Sequence, residues 1–316
     1  MQLSFIIPHK GRFEMLIETI ESIINQQTSE HSFEVIVVSQ TAEIKECILT
    51  TSDKLELKVF IRPVEDTISS SRNFGVEQAQ GEYLAFLDAD IYLSANWVEQ
   101  MFSELLGSPE RIIVSAMQVC NADAPPLEQI RTSLSNVEID QDVAFLPGRN
   151  LFMSKASFKK IGGFPEHLVT CEDYYFTDQA AKLGKLYYTS LANYRHIGED
   201  KEFNAMFKKE IWRGQSNIQS LAGRKIPLRE LPSFFVPPAI LFLLIAAVVC
   251  LLSGWPELAM ISLVLALLPI VVYSSRLFIL AQSKVQLVPI LWFYMVYFPA
   301  RAIGTFAGLF KTIKVK

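Results

Sequence analysis

The sequence predicts an α/β domain with a doubly wound, largely parallel sheet, followed by helices that lie in a membrane. Two observations support this prediction. Short apolar runs alternate with amphipathic stretches through the first two thirds of the 316 residues, the pattern of strands and helices around a parallel sheet. Residues 234–310 then hold almost no charge, and about 20 uncharged residues suffice to span a bilayer. The predicted domains are therefore 1–230 and a membrane region, 231–316.

Each element of the first domain is read from apolar periodicity and from breaks at glycine and proline. The predicted strands are residues 3–7, 33–38, 57–61, 83–87, 112–120, 147–154 and 186–189. The predicted helices are residues 14–27, 43–50, 70–80, 96–106, 157–161, 172–183 and 203–221. In parallel sheets ligands bind at the carboxyl ends of strands, and Pro8, Ser39 and Asp88 lie at such ends.

The membrane region contains three apolar stretches. Residues 234–252 and 258–275 are each long enough to span a bilayer. The third stretch, 285–310, is rich in aromatic residues and is interrupted by Arg301. These features favour an interfacial or re-entrant segment over a third span.

Basic residues set the expected orientation, because cytoplasmic loops are enriched in lysine and arginine. The basic residues flanking the two spans are Arg224, Lys225, Arg229, Arg276 and Lys284, and the loop between the spans has none. Lys311, Lys314 and Lys316 would lie outside if a third span existed, which favours two spans. We expect an integral protein of a bacterial inner membrane with residues 1–230 in the cytoplasm.

Composition excludes several other classes. The net charge is −4, from 29 basic and 33 acidic residues, whereas nucleic-acid binders carry a basic face or stripe. The four cysteines are far apart and form no CxxC pair, so neither a zinc site nor a disulfide framework is predicted. No nucleic-acid partner is expected.

Two carboxylates follow the fourth predicted strand directly, in Asp88-Ala89-Asp90. Oxygen ligands at a strand end can hold a hard divalent cation such as Mg²⁺ or Mn²⁺, which pairs naturally with a diphosphate. A motif this short also occurs in surface turns and helix caps. Its surroundings decide between the two interpretations.

Residues 70–75 (SSRNFG) and 79–90 (AQGEYLAFLDAD) resemble the donor-binding stretch of family-2 glycosyltransferases with the GT-A fold. Residues 4–8 and 33–38 resemble the first two strands of that family, and residues 147–173 resemble its acceptor-side region. The resemblance covers roughly residues 1–200. It implies a GT-A domain that transfers a sugar from a nucleotide-sugar with inversion.

The resemblance also implies how the donor is bound. Asp90 is the expected direct metal ligand, with Asp88 as a second ligand or as the contact to the ribose. His196 is a further expected metal or phosphate ligand, although a lone histidine is more often structural. The expected cofactor is Mn²⁺ or Mg²⁺, and the expected donor is a UDP-sugar.

Four other residues are predicted to contact the donor: Pro8, Gln40, Arg72 and Asn73. Arg72 and Asn73 are expected at the mouth of the site. Two segments depart from the family. Residues 39–41 (SQT) replace the acids that often follow the second strand, which leaves the nucleotide's identity open. Residues 9–12 (HKGR) either add positive charge near the diphosphate or form a solvated loop.

On the acceptor side the resemblance implies that Asp173 is the general base of an inverting transfer. The base removes the proton of the acceptor hydroxyl as its oxygen attacks the anomeric carbon. Glu172 is expected to orient the acceptor or the helix end, and both acids would also stabilise a helix N-terminus. Trp212 and Arg213 are expected on the acceptor side, with an interfacial anchor as the alternative.

The leading functional hypothesis is a metal-dependent glycosyltransferase at the cytoplasmic face, in cell-envelope polysaccharide biosynthesis. Its acceptor would be a polyprenyl phosphate, a lipid-linked glycan or a glycolipid, because the membrane region suits a lipid-borne acceptor. The alternative is a catalytically silent nucleotide-sugar-binding scaffold. A nucleotidyltransferase is a weaker third reading, since residues 10–12 (KGR) only hint at its basic first loop.

Overall fold

The structure is a computed structural model that describes residues 2–28, 31–41, 56–218, 228, 231–281 and 285–314. The predicted helix at 43–50 lies outside these residues, as do Arg224, Lys225, Arg229, Lys284 and Lys316. The chain packs as two compact units. The first comprises Met1–Cys120 and Glu138–Gly198, and the second comprises Asn121–Val137 and Glu199–Lys316. Packing therefore groups residues 121–137 and 199–230 with the apolar helices, whereas composition alone suggests a boundary near residue 230.

A mixed nine-stranded sheet forms the centre of the first unit. Its strands are β1 (Leu3–His9), β2 (Phe33–Ser39), β3 (Glu56–Ile61), β4 (Tyr83–Leu87), β5 (Ile91–Leu93), β6 (Arg111–Val119), β7 (Gln141–Val143), β8 (Asn150–Ser154) and β9 (Lys185–His196). The strand order is β3-β2-β1-β4-β8-β6-β9-β5, with β7 paired to β9. The β3-β2-β1-β4 half is parallel, and the pairings of β4 with β8 and of β8 with β6 are antiparallel. The α/β class is confirmed, and parallel pairing recurs between β6 and β9 in the other half of the sheet.

Ten helices lie in the described residues. They are α1 (Phe13–Ile24), α2 (Ile68–Gln78), α3 (Trp97–Leu106), α4 (Pro126–Ser135), α5 (Lys155–Ile161), α6 (Glu172–Ala180), α7 (Phe203–Gly214), α8 (Leu231–Leu252), α9 (Pro256–Leu280) and α10 (Leu287–Lys314). Each predicted helix within the described residues is present, with ends shifted by a few residues. Helix α4 and the short strands β5 and β7 are additional, because they are too short or too polar to show a clear periodicity.

Helices cover the sheet on both faces, as the alternation of side chains along β1 shows. Leu3, Phe5 and Ile7 lie in one buried cluster together with residues of α1 and α3. Ile6 lies in a second cluster with residues of α2 and α6. The two cores fix the strands, so the residues that follow each strand's carboxyl end have defined positions.

Two strands run further than their sequences suggest. Strand β1 continues through Pro8 to His9, because its pairing with β4 ends at Ile6 and only the β2 side continues. Proline lacks an N–H, and it is tolerated where a ladder ends. Strand β9 extends to His196 instead of ending near residue 189, after a register shift opposite β6 between Ala116 and Met117.

Three helices of the second unit are long and apolar enough to cross a membrane: Leu231–Leu252, Pro256–Leu280 and Leu287–Leu309. The first two contain the predicted spans. The third differs from the prediction, because α10 continues through Arg301 without interruption. The guanidinium of Arg301 lies over the Tyr297 ring, 5.9 Å from its centroid, and 3.6 Å from Glu210 Oε2. Partners within the unit thus compensate its charge, so the arginine does not break the helix.

Glycines allow α7 and α10 to approach at backbone distance. A Cβ added at Gly304 would overlap the Ile211 carbonyl oxygen, and one added at Gly308 would overlap that of Gln215. Small residues are the usual means of such close packing between helices. The amphipathic helix α7 is therefore packed directly on the third apolar helix.

Candidate functional site

A buried arginine connects the predicted donor and acceptor sides. Arg72, on α2, is 1% exposed. Its Nη2 lies 2.8 Å from Asp88 Oδ1, and its Nη1 lies 3.0 Å from Glu172 Oε1. Asp88 directly follows β4, whereas Glu172 begins α6. Both guanidinium ends of Arg72 are thus held by carboxylates inside the unit, and its contact with a donor stays a prediction.

Three carboxylates surround this arginine. Burial alone would lower the pKa of Arg72, but the charges of Asp88, Glu172 and Asp173 raise it, so its positive charge is permanent. A Cβ at Gly148 would lie 3.0 Å from Arg72 Nη1 and 3.2 Å from Asp173 Cβ. A glycine is needed at this point for the arginine and the acidic residues to fit together.

Asp173 lies in the first turn of α6, and both of its carboxylate oxygens accept backbone hydrogen bonds. Oδ1 accepts from the Tyr174 N–H at 2.9 Å, and Oδ2 accepts from the Gly148 N–H at 3.4 Å. Cys171, before the helix, is left-handed with φ 63°. Asp173 therefore stabilises the helix start, as the simpler interpretation expects, and also faces Gly148 beside Arg72.

Glu172 is the most strongly perturbed acid of this group. Burial and the charge of Asp173 raise its pKa to about 7, against the opposing effect of Arg72. Near neutral pH this carboxyl group is therefore close to half protonated. A group in that state can gain or lose a proton at little cost under working conditions.

The Glu172→Gln variant should show how ionisation of this group affects stability. The folded-state pKa of Glu172, about 7, lies above the ordinary glutamate value of 4.5. The contribution of Glu172 to stability is therefore fully present below pH 4.5. As the pH rises through 7, the protein loses about 3 kcal/mol of its free energy of unfolding. Glutamine cannot ionise, so the variant should gain stability relative to wild type between pH 5 and 8. Thermal unfolding across this pH range measures the difference. A stability difference between Glu172→Gln and wild type that did not change with pH would contradict the prediction.

A second cluster forms around Asp90. Asp90 Oδ2 lies 3.0 Å from Arg12 Nη1, and Asp90 Oδ1 lies 3.4 Å from His196 Nε2. His196 is brought there by the antiparallel pairing of β5 with β9, in which Ile91 is opposite His196. A Cβ at Gly198 would overlap Asp90 Oδ2. Sequence reasoning missed Gly198, although it follows His196 by only two residues.

The predicted metal ligands are only partly brought together. Asp90 is beside His196, whereas Asp88 is bonded to Arg72. No group of three or more His, Cys, Asp or Glu side chains within the described parts of the chain forms a metal-binding cluster. One carboxylate and one imidazole nevertheless fit a cation that completes its shell with diphosphate oxygens and water, as Mg²⁺ and Mn²⁺ often do. These residues would supply only part of the ligands of such a cation, and the diphosphate and water would supply the rest.

The side chain of Asn73 is hydrogen-bonded to Phe164 and Glu166. Its Oδ1 accepts the Phe164 N–H at 2.9 Å, and its Nδ2 donates to the Phe164 carbonyl at 2.9 Å and to Glu166 Oε1 at 2.8 Å. Gly163, left-handed with φ 81°, would place a Cβ 3.1 Å from the same Oδ1. The side chain of Asn73 thus fixes the loop that precedes α6, and these bonds occupy the groups expected to contact a donor.

The turns after β1 and β2 are joined to each other. The Gln40 N–H donates to the His9 carbonyl oxygen at 2.8 Å, and the Gln40 side-chain amide donates to the Asp66 carbonyl. His9 Nδ1 lies 2.9 Å from Ser39 Oγ, and burial lowers the pKa of His9, so it is neutral. Pro8 lies within β1. The positive charge of this loop therefore comes from Lys10, which bonds the Val64 carbonyl at 3.0 Å, and from Arg12 on Asp90.

Arg149 positions Asp88 and was not predicted. The Asp88 N–H donates to the Arg149 carbonyl oxygen at 3.2 Å. The Arg149 side chain donates from Nε to the Tyr194 hydroxyl and from Nη2 to Gln118 Oε1, each at 2.8 Å. Its place in residues 147–152 (PGRNLF) was the only available signal, because its partners come from distant strands.

Trp212 and Arg213 belong to the second unit. Trp212 is 49% exposed, whereas Arg213 Nη1 lies 2.6 Å from Glu210 Oε1. Glu210 is 1% exposed and also contacts Arg131 Nη2 at 2.5 Å. Burial would raise the pKa of Glu210, but Arg131, Arg213 and Arg301 hold it at about 2. Arg213 is therefore part of a buried ion network.

Loss of the Glu210 charge should destabilise the second unit strongly. The folded-state pKa of Glu210, about 2, lies below the ordinary glutamate value of 4.5. Its contribution to stability is therefore present above pH 4.5 and is lost as the pH falls toward 2. At pH 7, Glu210→Gln should lower the free energy of unfolding by about 3 kcal/mol, because buried arginines lose their partner. Thermal unfolding in detergent measures this. Glu202→Gln, just before α7, is the control, and equal midpoints for the two variants would refute the network's importance.

The comparisons with known proteins agree with this geometry. The model of the family described as glycosyl transferase family 2 matches residues 4–162. Glycosyltransferase AglE of Haloferax volcanii is 25% identical over 238 residues, which are 72% of this chain and 77% of that protein. A poly(ribitol-phosphate) beta-glucosyltransferase of Bacillus spizizenii is 24% identical over 188 residues, 57% of this chain but only 29% of that enzyme.

Similarity also extends to solved structures. The mannosyltransferase PcManGT of Pyrobaculum calidifontis, in complex with GDP-Man and Mn²⁺, superposes with a TM-score of 0.61 and 17% identity. The match covers 96% of this chain and 87% of that one. At this identity the likeness establishes the shared fold.

Proposed function

The chain belongs to glycosyl transferase family 2, and on this premise we propose that it transfers a sugar, with inversion, from a metal-bound nucleotide-sugar to a membrane-associated acceptor. The transfer would take place at the cytoplasmic face. The observation that carries the proposal is the bridge made by Arg72, whose Nη2 and Nη1 bind Asp88 and Glu172 at 2.8 and 3.0 Å. One cation thereby joins the residue after β4 to the helix that carries the proposed base.

Asp173 is the proposed general base. Inverting transfer needs a carboxylate on the acceptor side, which takes the proton of the acceptor hydroxyl as that oxygen attacks the anomeric carbon. The first-turn position of Asp173 and its bonds to the Tyr174 and Gly148 N–H groups fix the carboxylate. Glu172, held by Arg72, is proposed to position Asp173 and the helix start.

Asp90 and His196, together with Asp88, are the residues that would hold a divalent cation. When bound, Mn²⁺ or Mg²⁺ would neutralise the charge that develops on the leaving diphosphate. Two findings support this proposal: the contact between Asp90 and His196, and the presence of Mn²⁺ in the complex of PcManGT. Asp88 keeps its bond to Arg72, which orients it toward the donor side.

The proposed donor site lies at the carboxyl ends of β1, β2 and β4, where Pro8, Gln40 and Asp88 are found. Ligands of parallel sheets bind at this edge. A UDP-sugar is the proposed donor, although PcManGT was solved with GDP-Man. Arg72 and Asn73 are proposed to act indirectly, by fixing Asp88 and the loop around Phe164.

The second unit is the reason for proposing a membrane-associated acceptor. Three helices are long and apolar enough to cross a bilayer, and an enzyme anchored in this way meets lipid-borne acceptors at their own surface. A polyprenyl phosphate, a lipid-linked glycan or a glycolipid is the proposed class, and exposed Trp212 is a proposed acceptor-side or interfacial contact. The Bacillus spizizenii relative acts, by name, on poly(ribitol phosphate), a phosphate-rich polymer.

The test is release of nucleoside diphosphate by detergent-purified protein. The protein is incubated with Mn²⁺ or Mg²⁺, a panel of nucleotide-sugars and a bacterial lipid extract, with Asp90→Ala and Asp173→Asn alongside. Release from one donor that is lost in both variants would support the proposal and identify the donor. Donor binding without any turnover, with every metal and acceptor, would instead favour a silent scaffold.

A further inference from the structure

The loop between β1 and α1 places a cation on the carboxylate proposed to bind the metal. Arg12 Nη1 lies 3.0 Å from Asp90 Oδ2, and the Asp90 side chain is only 7% exposed, whereas that of Arg12 is 60% exposed. A nearly buried carboxylate is costly without a compensating positive charge. Arg12 supplies this charge from the solvent side.

The backbone at this position does not favour arginine. Arg12 has φ 51°, in the left-handed region, and follows Gly11 with φ 64°. Glycine and asparagine adopt this conformation more readily than other residues. Arg12 also precedes α1 without forming a side-chain cap. Neither the turn nor the helix start explains an arginine, which leaves its contact with Asp90 as the explanation.

A second, independent feature makes room for this contact. A Cβ at Gly198 would overlap Asp90 Oδ2 and would lie 2.6 Å from Arg12 Nη1. The guanidinium can reach the carboxylate only because residue 198 has no side chain. His196 Nε2 lies 3.4 Å from the other oxygen, Oδ1, so Arg12 faces the oxygen that the histidine does not.

We propose that Arg12 is a placeholder cation, which compensates Asp90 before the metal arrives and moves to the donor's diphosphate when the metal binds. This inference rests on the proposed metal-dependent function. A divalent cation held by Asp90 would repel the guanidinium, and the long, exposed side chain of Arg12 can turn toward solvent. Guanidinium groups bind phosphate oxygens strongly and with two bonds at once. Because Arg12 must leave Asp90, the metal binds more weakly when no nucleotide is present. Because Arg12 then binds the diphosphate, metal and nucleotide bind cooperatively.

The experiment titrates the purified full chain with Mn²⁺, following free Mn²⁺ by electron paramagnetic resonance, in the absence of nucleotide and with UDP or GDP. Arg12→Gly suits the left-handed backbone, so the variant should fold. Without nucleotide it should bind Mn²⁺ about fivefold more tightly than wild type, because a partly exposed competing ion pair is removed. At saturating Mn²⁺ it should bind the nucleoside diphosphate about tenfold more weakly, because a charge-assisted bond is lost.

Two further variants separate this role from general charge effects. Lys10→Ala removes one positive charge from the same loop, and its affinities should stay within twofold of wild type. Arg12→Lys keeps the charge and should behave more like wild type than Arg12→Gly does. Unchanged Mn²⁺ affinity in Arg12→Gly, with wild type binding the metal, would overturn the placeholder role alone. Failure of wild type to bind Mn²⁺ under any condition would overturn both this role and the proposed metal dependence.

Discussion

The Asp173→Asn variant is expected to lose sugar transfer by about a thousandfold, because a general base contributes roughly that factor. Asparagine has nearly the same shape, and its amide oxygen can still accept a hydrogen bond from the Tyr174 or Gly148 N–H, which Asp173 accepts at 2.9 and 3.4 Å. The amide cannot take a proton from an acceptor hydroxyl. The loss should therefore appear in kcat, with little change in the KM for the nucleotide-sugar.

The measurement is product formation at saturating donor, together with donor binding by calorimetry. Asp178→Asn, on the same helix and paired with Lys182 at 3.1 Å, is the matched control, and it should keep most of the activity. Unfolding midpoints within a few degrees of wild type would exclude a loss through the helix start. If Asp173→Asn kept more than a tenth of the wild-type rate, another residue would have to be the base.

Arg72→Met is expected to destabilise the first unit strongly. The change leaves Asp88 and the 12%-exposed Glu172 carboxylate without their common cation. Removing one partner of a buried ion pair typically costs about 3–5 kcal/mol. Protonation of Glu172 would relieve part of this cost, since Arg72 is the group that opposes the rise in its pKa. The variant should therefore be least stable at high pH.

Thermal and denaturant unfolding at pH 6 and 8 measure this effect. Arg62→Met is the control, because Arg62 makes a single, partly exposed pair with Asp66 at 2.8 Å, which should contribute less than about 1 kcal/mol. Arg72→Lys tests geometry separately, since one ammonium cannot reproduce a two-ended guanidinium bridge. A loss in Arg72→Met no larger than that in Arg62→Met would contradict the buried bridge.

Local patterns were enough to predict most strands and helices and the position of Asp88 and Asp90. An apolar strand followed by two acids is readable from neighbouring residues alone. The position of Arg72 at the mouth of the site is predicted only through the family resemblance, and its observed contact with Glu172 comes from 100 positions away in the chain. The bonds of Asn73 to Phe164, 91 positions away, are likewise beyond what local patterns can predict.

The cluster around Asp90 shows the same limit. His196 was predicted as a ligand only through the family resemblance, and its contact with Asp90 depends on pairing between β5 and β9. The short strand β5 has no periodicity from which this pairing could be predicted. Gly198 and Gly148 matter because a side chain at either position would crowd the neighbouring charged residues. Those neighbours are distant in the sequence, so the need for a glycine cannot be predicted from it.

The packing of the second unit also determines where the protein can be cut. A soluble fragment ending at residue 230, where hydropathy changes, would keep α4 and α7 but lose the helices against which they pack. Leu127, Ile130 and Met206 share a buried cluster with residues of α8, α9 and α10, and Gly304 and Gly308 lie against the backbone of α7. Such a truncation would expose this cluster to water, and we expect the fragment to aggregate. A workable soluble form would need these faces redesigned, or the whole chain kept in detergent.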